Sequence, residues 1–268
     1  MEPARLLHYR SRGWEEALEA ARDFVGQLTL AEKAGMITGT TGPCMGDIAP
    51  ISRLNFTGLY LQDRPQAIRD APFVSVFPAQ LSVAASWDLS LAHQHALYMG
   101  TGFRAKGAHV VLGPVAGPLG RSPFGGRNWE GFSPDAYLSG ELVAVTVQGI
   151  QSAGVQAATK HYIANEQEIQ RNPTFSANRT IIEAISSNID DKGYVVSDCF
   201  AAHAGVPSAN AGLDMNMPGS MNFLGKSASY FGENITAAVN NGSLSSDRLD
   251  DMVVRVLIPY FHLKQDKD

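Results

Sequence analysis

An apolar run that ends abruptly on a carboxylate constrains the fold of this chain more than any other feature. Gly193 is followed by Tyr-Val-Val-Ser, and the run stops at Asp198. Such a short apolar run with β-branched residues is typical of a buried strand. A carboxylate at the C-terminal end of that strand occupies the position where parallel α/β barrels carry their catalytic groups. An acidic cap at the start of the next helix is the alternative for this residue.

The same design recurs along the chain, because strand-like segments alternate with helix-like segments. Helix starts are indicated by the capping pattern of Thr29 and Glu32 and by Ser133-Pro134. The alternation predicts a parallel sheet with helical crossovers, and chemistry at several strand ends favours a closed barrel over an open sheet. The predicted strands are 57–61, 108–112, 155–159, 194–197 and 211–215, and the predicted helices include 14–28, 89–105, 134–154 and 249–262.

Length and composition exclude several classes of function. The 268 residues allow one α/β barrel or two smaller domains, and the formal net charge of −5 does not favour a nucleic-acid partner. No apolar run is long enough to cross a membrane. No G-x-G-x-x-G follows an early strand and no Walker loop is present, and neither Cys44 nor Cys199 has metal-ligand spacing around it. The sequence therefore predicts neither a cofactor nor a metal.

Signals for the cellular compartment conflict with one another. Residues 1–14 carry three arginines but no apolar segment of the kind found in secretory signals, which favours an intracellular location. Sequons for N-glycosylation point the other way. The compartment therefore stays open. The sequons begin at Asn55, Asn178, Asn234 and Asn241.

The charged side chains that follow the predicted strands suit a polyhydroxylated ligand. Carboxylates accept hydrogen bonds from vicinal hydroxyls, and arginine and lysine donate to the remaining oxygens. The alternative is that Arg127 with Glu130, and Lys160 with Glu166, form ordinary ion pairs of loops. His161 also fits a core histidine. The residues in question are Asp63, Arg121, Arg127, Lys160, His161 and Asp198.

Longer motifs of this chain resemble glycoside hydrolase family 3, and in particular its fungal β-glucosidase branch. The resemblance is carried by 117–121, 126–132, 160–162 and 197–198, and it continues through 209–219 and 237–242 to 248–255. It covers nearly the whole chain from about Trp14. The resemblance implies a TIM-type (β/α) barrel that occupies 1–268 as a single domain.

The resemblance also implies a role for each matching residue. Asp198 is the expected nucleophile of a retaining β-glucosidase that acts on terminal β-D-glucosyl residues. Asp63 lies in the family's Gln-Asp-x-Pro pattern and is expected to bind hydroxyls of the sugar. Arg69 is expected to be a supporting charge nearby. The residues expected to hold the same sugar are Asp63, Arg127, Lys160 and His161.

The sequence departs from the family pattern in several places. Between Asp191 and Lys192 the family's helix, strand and helix are missing, so we expect an incomplete or distorted barrel. The family's following α/β sandwich domain, which supplies the general acid in this branch, is also expected to be absent. Cys199 stands where the branch has tryptophan, and Arg64 stands where a small residue is usual. Tyr60 replaces the cysteine that would pair with Cys44, so that disulfide is not expected.

These departures predict weak or impaired hydrolysis, because a positioned proton donor contributes about 10²–10⁴-fold to the rate. Candidates for a substitute acid are Glu130, Glu166 and Glu168. Two alternatives stay open: a non-hydrolytic barrel that binds or rearranges another small molecule, and an inactive truncated homologue. The exposed edge of a shortened barrel makes a homodimer the expected assembly.

Overall fold

The computed structural model describes residues 12–40, 42–44, 46–117, 126–161, 193–221 and 228–267. The chain forms two compact units, one from 1–58 with 186–268 and the other from 59–185. The prediction of one domain over 1–268 stays a prediction. The strands are β1 Gly46–Ile48, β2 Leu59–Asp63, β3 Val110–Val115 and β4 Gln156–Lys160, and the helices are α1 Arg12–Val25, α2 Leu30–Met36, α3 Gln80–Ala84, α4 Leu89–Ala105, α5 Ala136–Ser152, α6 Val206–Asn210, α7 Glu233–Asn240 and α8 Ser246–His262.

The unit formed by 59–185 contains a parallel sheet. β3 lies between β2 and β4, and Leu61 and Gln156 both pair with Val110. Neighbouring parallel strands need a crossover connection. In the chain α4 lies between β2 and β3, and α5 lies between β3 and β4. Every residue of β3 is buried, as expected of a central strand covered by helices. The predicted α/β class is therefore confirmed for this unit.

The two long helices of this unit begin at acidic caps. Asp88 Oδ1 accepts from the backbone N–H groups of Ser90 and Leu91, at 2.8 and 3.0 Å, so α4 begins where the sequence predicts. For α5 the predicted cap is wrong. The cap is Asp135, whose Oδ1 accepts from Leu138 N–H at 2.7 Å, and Ser133 lies before it. Ser133 Oγ instead accepts from the backbone N–H of Asp135 at 3.0 Å, one residue before the helix begins.

The unit formed by 1–58 and 186–268 packs α1 against α8. The predicted capping box is confirmed: Glu32 Oε2 accepts from Thr29 N–H at 2.8 Å, and Thr29 Oγ1 accepts from Glu32 N–H at 3.3 Å. Ser245 caps α8, accepting from Arg248 N–H at 3.0 Å. None of the described helices has the length and apolar character required to cross a membrane.

The predicted strands over 194–197 and 211–215 are much reduced. Val196 and Met215 form a single parallel bridge, and Ser197 N–H donates to Met215 O at 2.9 Å. A second parallel bridge joins Thr38 to Asn216. The second strand begins later than predicted, because α6 runs to Asn210 and Ala211 serves as its C-cap.

Candidate functional site

One carboxylate in the unit formed by 59–185 collects hydrogen bonds from three directions. Asp63 ends β2 and Lys160 ends β4, and Lys160 Nζ donates to Asp63 Oδ1 at 2.8 Å. Arg69 Nη1 donates to Oδ2 at 3.2 Å, and Arg64 N–H donates to Oδ1 at 3.0 Å. Because β2 and β4 lie on either side of β3 with their ends at one edge, their terminal side chains reach each other. We call Asp63, Arg69 and Lys160 the carboxylate cluster.

The carboxylate cluster keeps Asp63 ionised. Burial by itself raises the pKa of this carboxyl group, but the Lys160 ammonium, the Arg64 amide and the Arg69 guanidinium together outweigh burial and lower the pKa below its ordinary value. The side chains of Asp63 and Lys160 are 18% and 17% exposed, whereas that of Arg69 is 56% exposed. Lys160 is therefore the stronger partner, since less water screens its charge. The cluster offers an ionised acceptor with donors beside it.

Arg127 and Glu130 form an ion pair in a short 3₁₀ segment, Asn128–Glu130. Arg127 Nε and Nη2 donate to Glu130 Oε1 and Oε2, each at 2.8 Å. The ion pair that the spacing of these two residues suggested is therefore present, and the sugar-binding role of Arg127 stays a prediction. A two-pronged guanidinium–carboxylate pair fixes both side chains in one plane. Because Glu130 is only 6% exposed, the pair stabilises the structure of this loop.

The side chain of Arg64, which stands where the family has a small residue, is buried. Its Nη1 donates to Met99 Sδ at 3.0 Å, and among the described residues its Nε and Nη2 reach no acceptor. Burial lowers the pKa of Arg64 to about 10, and the carboxylates of Glu130 and Asp63 oppose that shift. Gly113 makes room for the guanidinium, since a Cβ there would lie 2.4 Å from Arg64 Nε.

Asp198 belongs to the other unit, where it opens a tight turn. Cys199 N–H donates to Asp198 Oδ1 at 2.7 Å, and Ala201 N–H donates to its backbone carbonyl at 3.0 Å. Phe200 in this turn has φ of +61°, which is uncommon for a bulky residue. Phe200 N–H donates to Met217 O at 3.2 Å, which ties the turn to the neighbouring segment. The turn therefore orients the carboxylate through the backbone.

The remaining predicted site residues are placed less fully. His161 follows β4 directly and is partly buried. Glu166 and Glu168 lie outside the described residues, as does Arg121, and so does the junction of 191 and 192 where a segment is missing from the family pattern. Lys160 pairs with Asp63, and its suggested loop partner Glu166 is in the same undescribed range. Within the described part of the chain no group of three or more His, Cys, Asp or Glu side chains is arranged to hold a metal ion.

Sequence reasoning missed Asp47, which is only 3% exposed. Burial raises the pKa of its carboxyl group to about 6, and a backbone N–H of Cys44 opposes that shift only in part. The Asp47 carboxyl lies against Gly42, where a Cβ would approach Oδ2 to 1.8 Å. The pKa of the Cys44 thiol is raised to about 11, first by burial and then by Asp47. The one sequence signal for its burial is an acidic residue between apolar neighbours in a Gly-rich stretch.

Comparison with known proteins identifies the family of this chain. Residues 64–172 match the model of the glycosyl hydrolase family 3 N terminal domain. A probable beta-glucosidase G of Emericella nidulans is 48% identical over 96% of this chain, which spans 39% of that protein's length. The aligned stretch is 316 positions long, more than the 268 residues present here, so the relative holds residues that this chain lacks.

Solved structures agree with the sequence comparison. The beta-glucosidase D2-BGL from Chaetomella raphigera superposes with a TM-score of 0.86 at 36% identity, covering 95% of this chain and 41% of that one. The beta-D-glucoside glucohydrolase from Trichoderma reesei gives 0.85 at 36% identity, covering 97% and 42%. The chain thus spans about two-fifths of the proteins it matches. It belongs to glycosyl hydrolase family 3 and corresponds to the N-terminal part of its members.

Proposed function

We propose that this chain binds terminal β-D-glucosyl residues and carries the nucleophile of a retaining β-glucosidase. The observation that carries the proposal is the carboxylate cluster, in which Lys160 and Arg69 hold Asp63 ionised. An ionised carboxylate accepts from two neighbouring hydroxyls, and cations beside it donate to other sugar oxygens. Relatives and structural neighbours carrying the name beta-glucosidase support the same reaction class.

The remaining site residues have separate roles in this proposal. Asp198 attacks the anomeric carbon, the bond to the leaving oxygen breaks, and the glycosyl-enzyme intermediate is then hydrolysed by water. The Cys199 N–H bond to Oδ1 supports this role, because a carboxylate held in one orientation loses less freedom on reaction. Arg127 and His161 complete the set of sugar-binding residues.

The proton donor sets the range of substrates. Glu130 is a poor candidate, because both of its carboxylate oxygens are engaged by Arg127. General-acid assistance is worth about 10²–10⁴-fold, and it matters least when the leaving group is already a weak base. We therefore propose that this chain by itself acts on aryl β-glucosides far better than on disaccharides.

We further propose that the family's (β/α) barrel is present here in incomplete form. The parallel arrangement of β2, β3 and β4 supports this, as do the helical crossovers between them. In the other unit, the parallel bridges at Val196 and Thr38 are consistent with further barrel strands. The extra residues in the aligned stretch of the relative support a shortened barrel.

The test is release of nitrophenol from p-nitrophenyl β-D-glucoside by the full chain. We expect Asp198→Asn to lower the rate by about 10³-fold or more, as loss of a nucleophile does. The matched control is Asp88→Asn, because asparagine caps a helix as well as aspartate does. Release that survives in Asp198→Asn contradicts the assigned nucleophile. Saturable glucose binding without any release favours the non-hydrolytic alternative.

A further inference from the structure

A cavity of about 160 Å³ lies in the unit formed by 59–185, between the segment after Arg69 and the second half of α4. Its floor is apolar and belongs to the core, with Ile68, Met99 and Phe103 each at most 7% exposed. Aromatic side chains line its walls and its mouth. They are Phe73, Phe77 and Tyr98.

The segment that covers the cavity is fastened at two points. Lys106 Nζ donates to Pro72 O at 2.9 Å, and Phe77 N–H donates to Gln66 O at 2.8 Å. Between these points Phe73 has φ of +57° and is 98% exposed, so its ring lies in solvent beside the opening. Tyr98 on α4 is 61% exposed. A space of ring size with an apolar floor is therefore open, with two aromatic rings at its entrance.

We propose that this cavity binds a small molecule with a single aromatic ring and one hydroxyl group, such as phenol. An engineered apolar cavity of about 150 Å³ in another protein stays dry and binds benzene, so the volume here suits one ring. Aromatic walls favour an aromatic guest, because ring edges and faces attract each other. The Lys106 ammonium has further N–H groups besides the one bonded to Pro72 O, and these suit a phenolic oxygen.

The cavity is separate from the carboxylate cluster. The two share no residue, and the second half of α4 leads into the beginning of β3, whereas Asp63 and Lys160 stand at the ends of their strands. The proposal does not rest on glycosidase activity. Failure of the nitrophenol assay leaves it intact, since its own readout is equilibrium binding of phenol.

Gly102 offers a direct way to close the cavity. It lines the space from within α4, and a Cβ added there meets no heavy atom within 4 Å. Gly102→Leu places a larger apolar side chain at the lining of the cavity, where we expect it to occupy part of the space, and leucine also favours the helix over glycine. Gly102→Ala fills the space only in part and serves as a milder variant.

Gly140 provides the matched control. It lies in α5, is exposed, and likewise has open space at its Cβ position. Gly140→Leu therefore gives the same gain in helix preference without touching the cavity. Comparison of the two leucine variants separates the filling of the cavity from a general change in stability.

The experiment titrates the full chain with phenol and with cyclohexanol, by calorimetry or ligand-observed NMR. We expect phenol to bind with Kd on the order of 1 mM, a value typical of a fragment of this size. Gly102→Leu should weaken binding at least tenfold, Gly102→Ala less, and Gly140→Leu not at all. Absence of saturable phenol binding to the unmodified chain overturns the proposal, as does equal binding of cyclohexanol. Binding that appears only in Phe73→Ala also overturns it, because Phe73 then fills the cavity itself.

Discussion

Two carboxylates in this chain are shielded from water, yet their pKa values are shifted in opposite directions. Asp63 receives hydrogen bonds from Lys160 and Arg69, and its pKa is lowered although burial opposes the shift. For Asp47, burial raises the pKa to about 6, and a single backbone N–H opposes it. Neighbouring cations therefore decide the direction in which the pKa of a buried carboxyl moves. They favour the ionised form of Asp63, whereas burial makes the ionised form of Asp47 costly.

Asp214 shows that nearby cations do not always outweigh burial. It is 2% exposed and lies 2.9 Å from Arg248 Nη2, yet its pKa is raised, with burial as the largest cause. Arg248 and Arg255 both favour the ionised form of Asp214, as Lys160 and Arg69 do for Asp63. The difference lies in burial, because the Asp214 side chain is 3% exposed and that of Asp63 is 18% exposed. Substitutions at Asp63, at Asp47 and at the cations beside Asp63 test this difference in pKa.

Loss of the ammonium beside Asp63 should have the largest effect on stability. Lys160→Met leaves a partly buried carboxylate with only Arg69 and an amide, and breaking a fully buried pair costs about 3–5 kcal/mol. Because both side chains keep some exposure, we expect a fall of about 1–3 kcal/mol in the free energy of unfolding at pH 7. Urea unfolding measures it.

The control for that substitution is Lys33→Met. Lys33 Nζ lies 2.6 Å from Asp250 Oδ1, but the Asp250 side chain is 41% exposed. An exposed pair contributes about 0–1 kcal/mol, so this variant should lose clearly less stability than Lys160→Met. Equal losses would mean that the carboxylate cluster has no special electrostatic importance.

Removal of the charge at Asp47 should stabilise the protein in basic solution. A carboxyl group with a raised pKa binds more protons in the folded state, so its burial costs stability as pH rises from its unfolded pKa near 3.8 through about 6. A shift of about two pKa units corresponds to about 3 kcal/mol at pH 8. Asp47→Asn removes the charge but leaves a polar amide buried, so we expect a net gain of about 1–2 kcal/mol at pH 8 and much less at pH 4. Melting at the two pH values tests it.

The same substitution at Asp63 should change the stability of the protein in the opposite direction. Its lowered pKa adds stability that is complete above the unfolded pKa and is lost as pH falls through the folded pKa. Asp63→Asn is therefore expected to destabilise the chain at pH 8, where Asp47→Asn stabilises it. Shifts of the same sign in both variants would show that the two carboxylates do not differ as described.

The smallest effect is expected from Arg69. Its side chain is 56% exposed, and its Nη1 lies 3.2 Å from Asp63 Oδ2, so water screens the pair. Arg69→Met should lower the free energy of unfolding by less than about 1 kcal/mol at low salt, and by still less at high salt. A loss as large as that of Lys160→Met would contradict the conclusion that Lys160 stabilises the Asp63 carboxylate more than Arg69 does.

Local patterns predicted several elements of the fold correctly. The capping box at Thr29 and the start of α4 follow from side chains that satisfy nearby amides, which is a property of a few adjacent residues. The cap of α5 was misplaced, because Ser133 and Asp135 are both capable caps and only the packed helix selects between them. The strand predicted over 194–197 is reduced to one bridge, since pairing depends on a distant partner.

The family, the parallel α/β design and the charged residues that follow the strands can all be predicted from the amino-acid sequence alone. Those features depend on spacing along the chain and survive without knowledge of distant contacts. The pairing of Lys160 with Asp63, 97 positions away, and the contact of the Arg64 side chain with Met99 depend on how the folded chain brings distant residues together. The pKa of Asp47 was likewise beyond the sequence, because burial and neighbouring charge arise from segments that folding brings together.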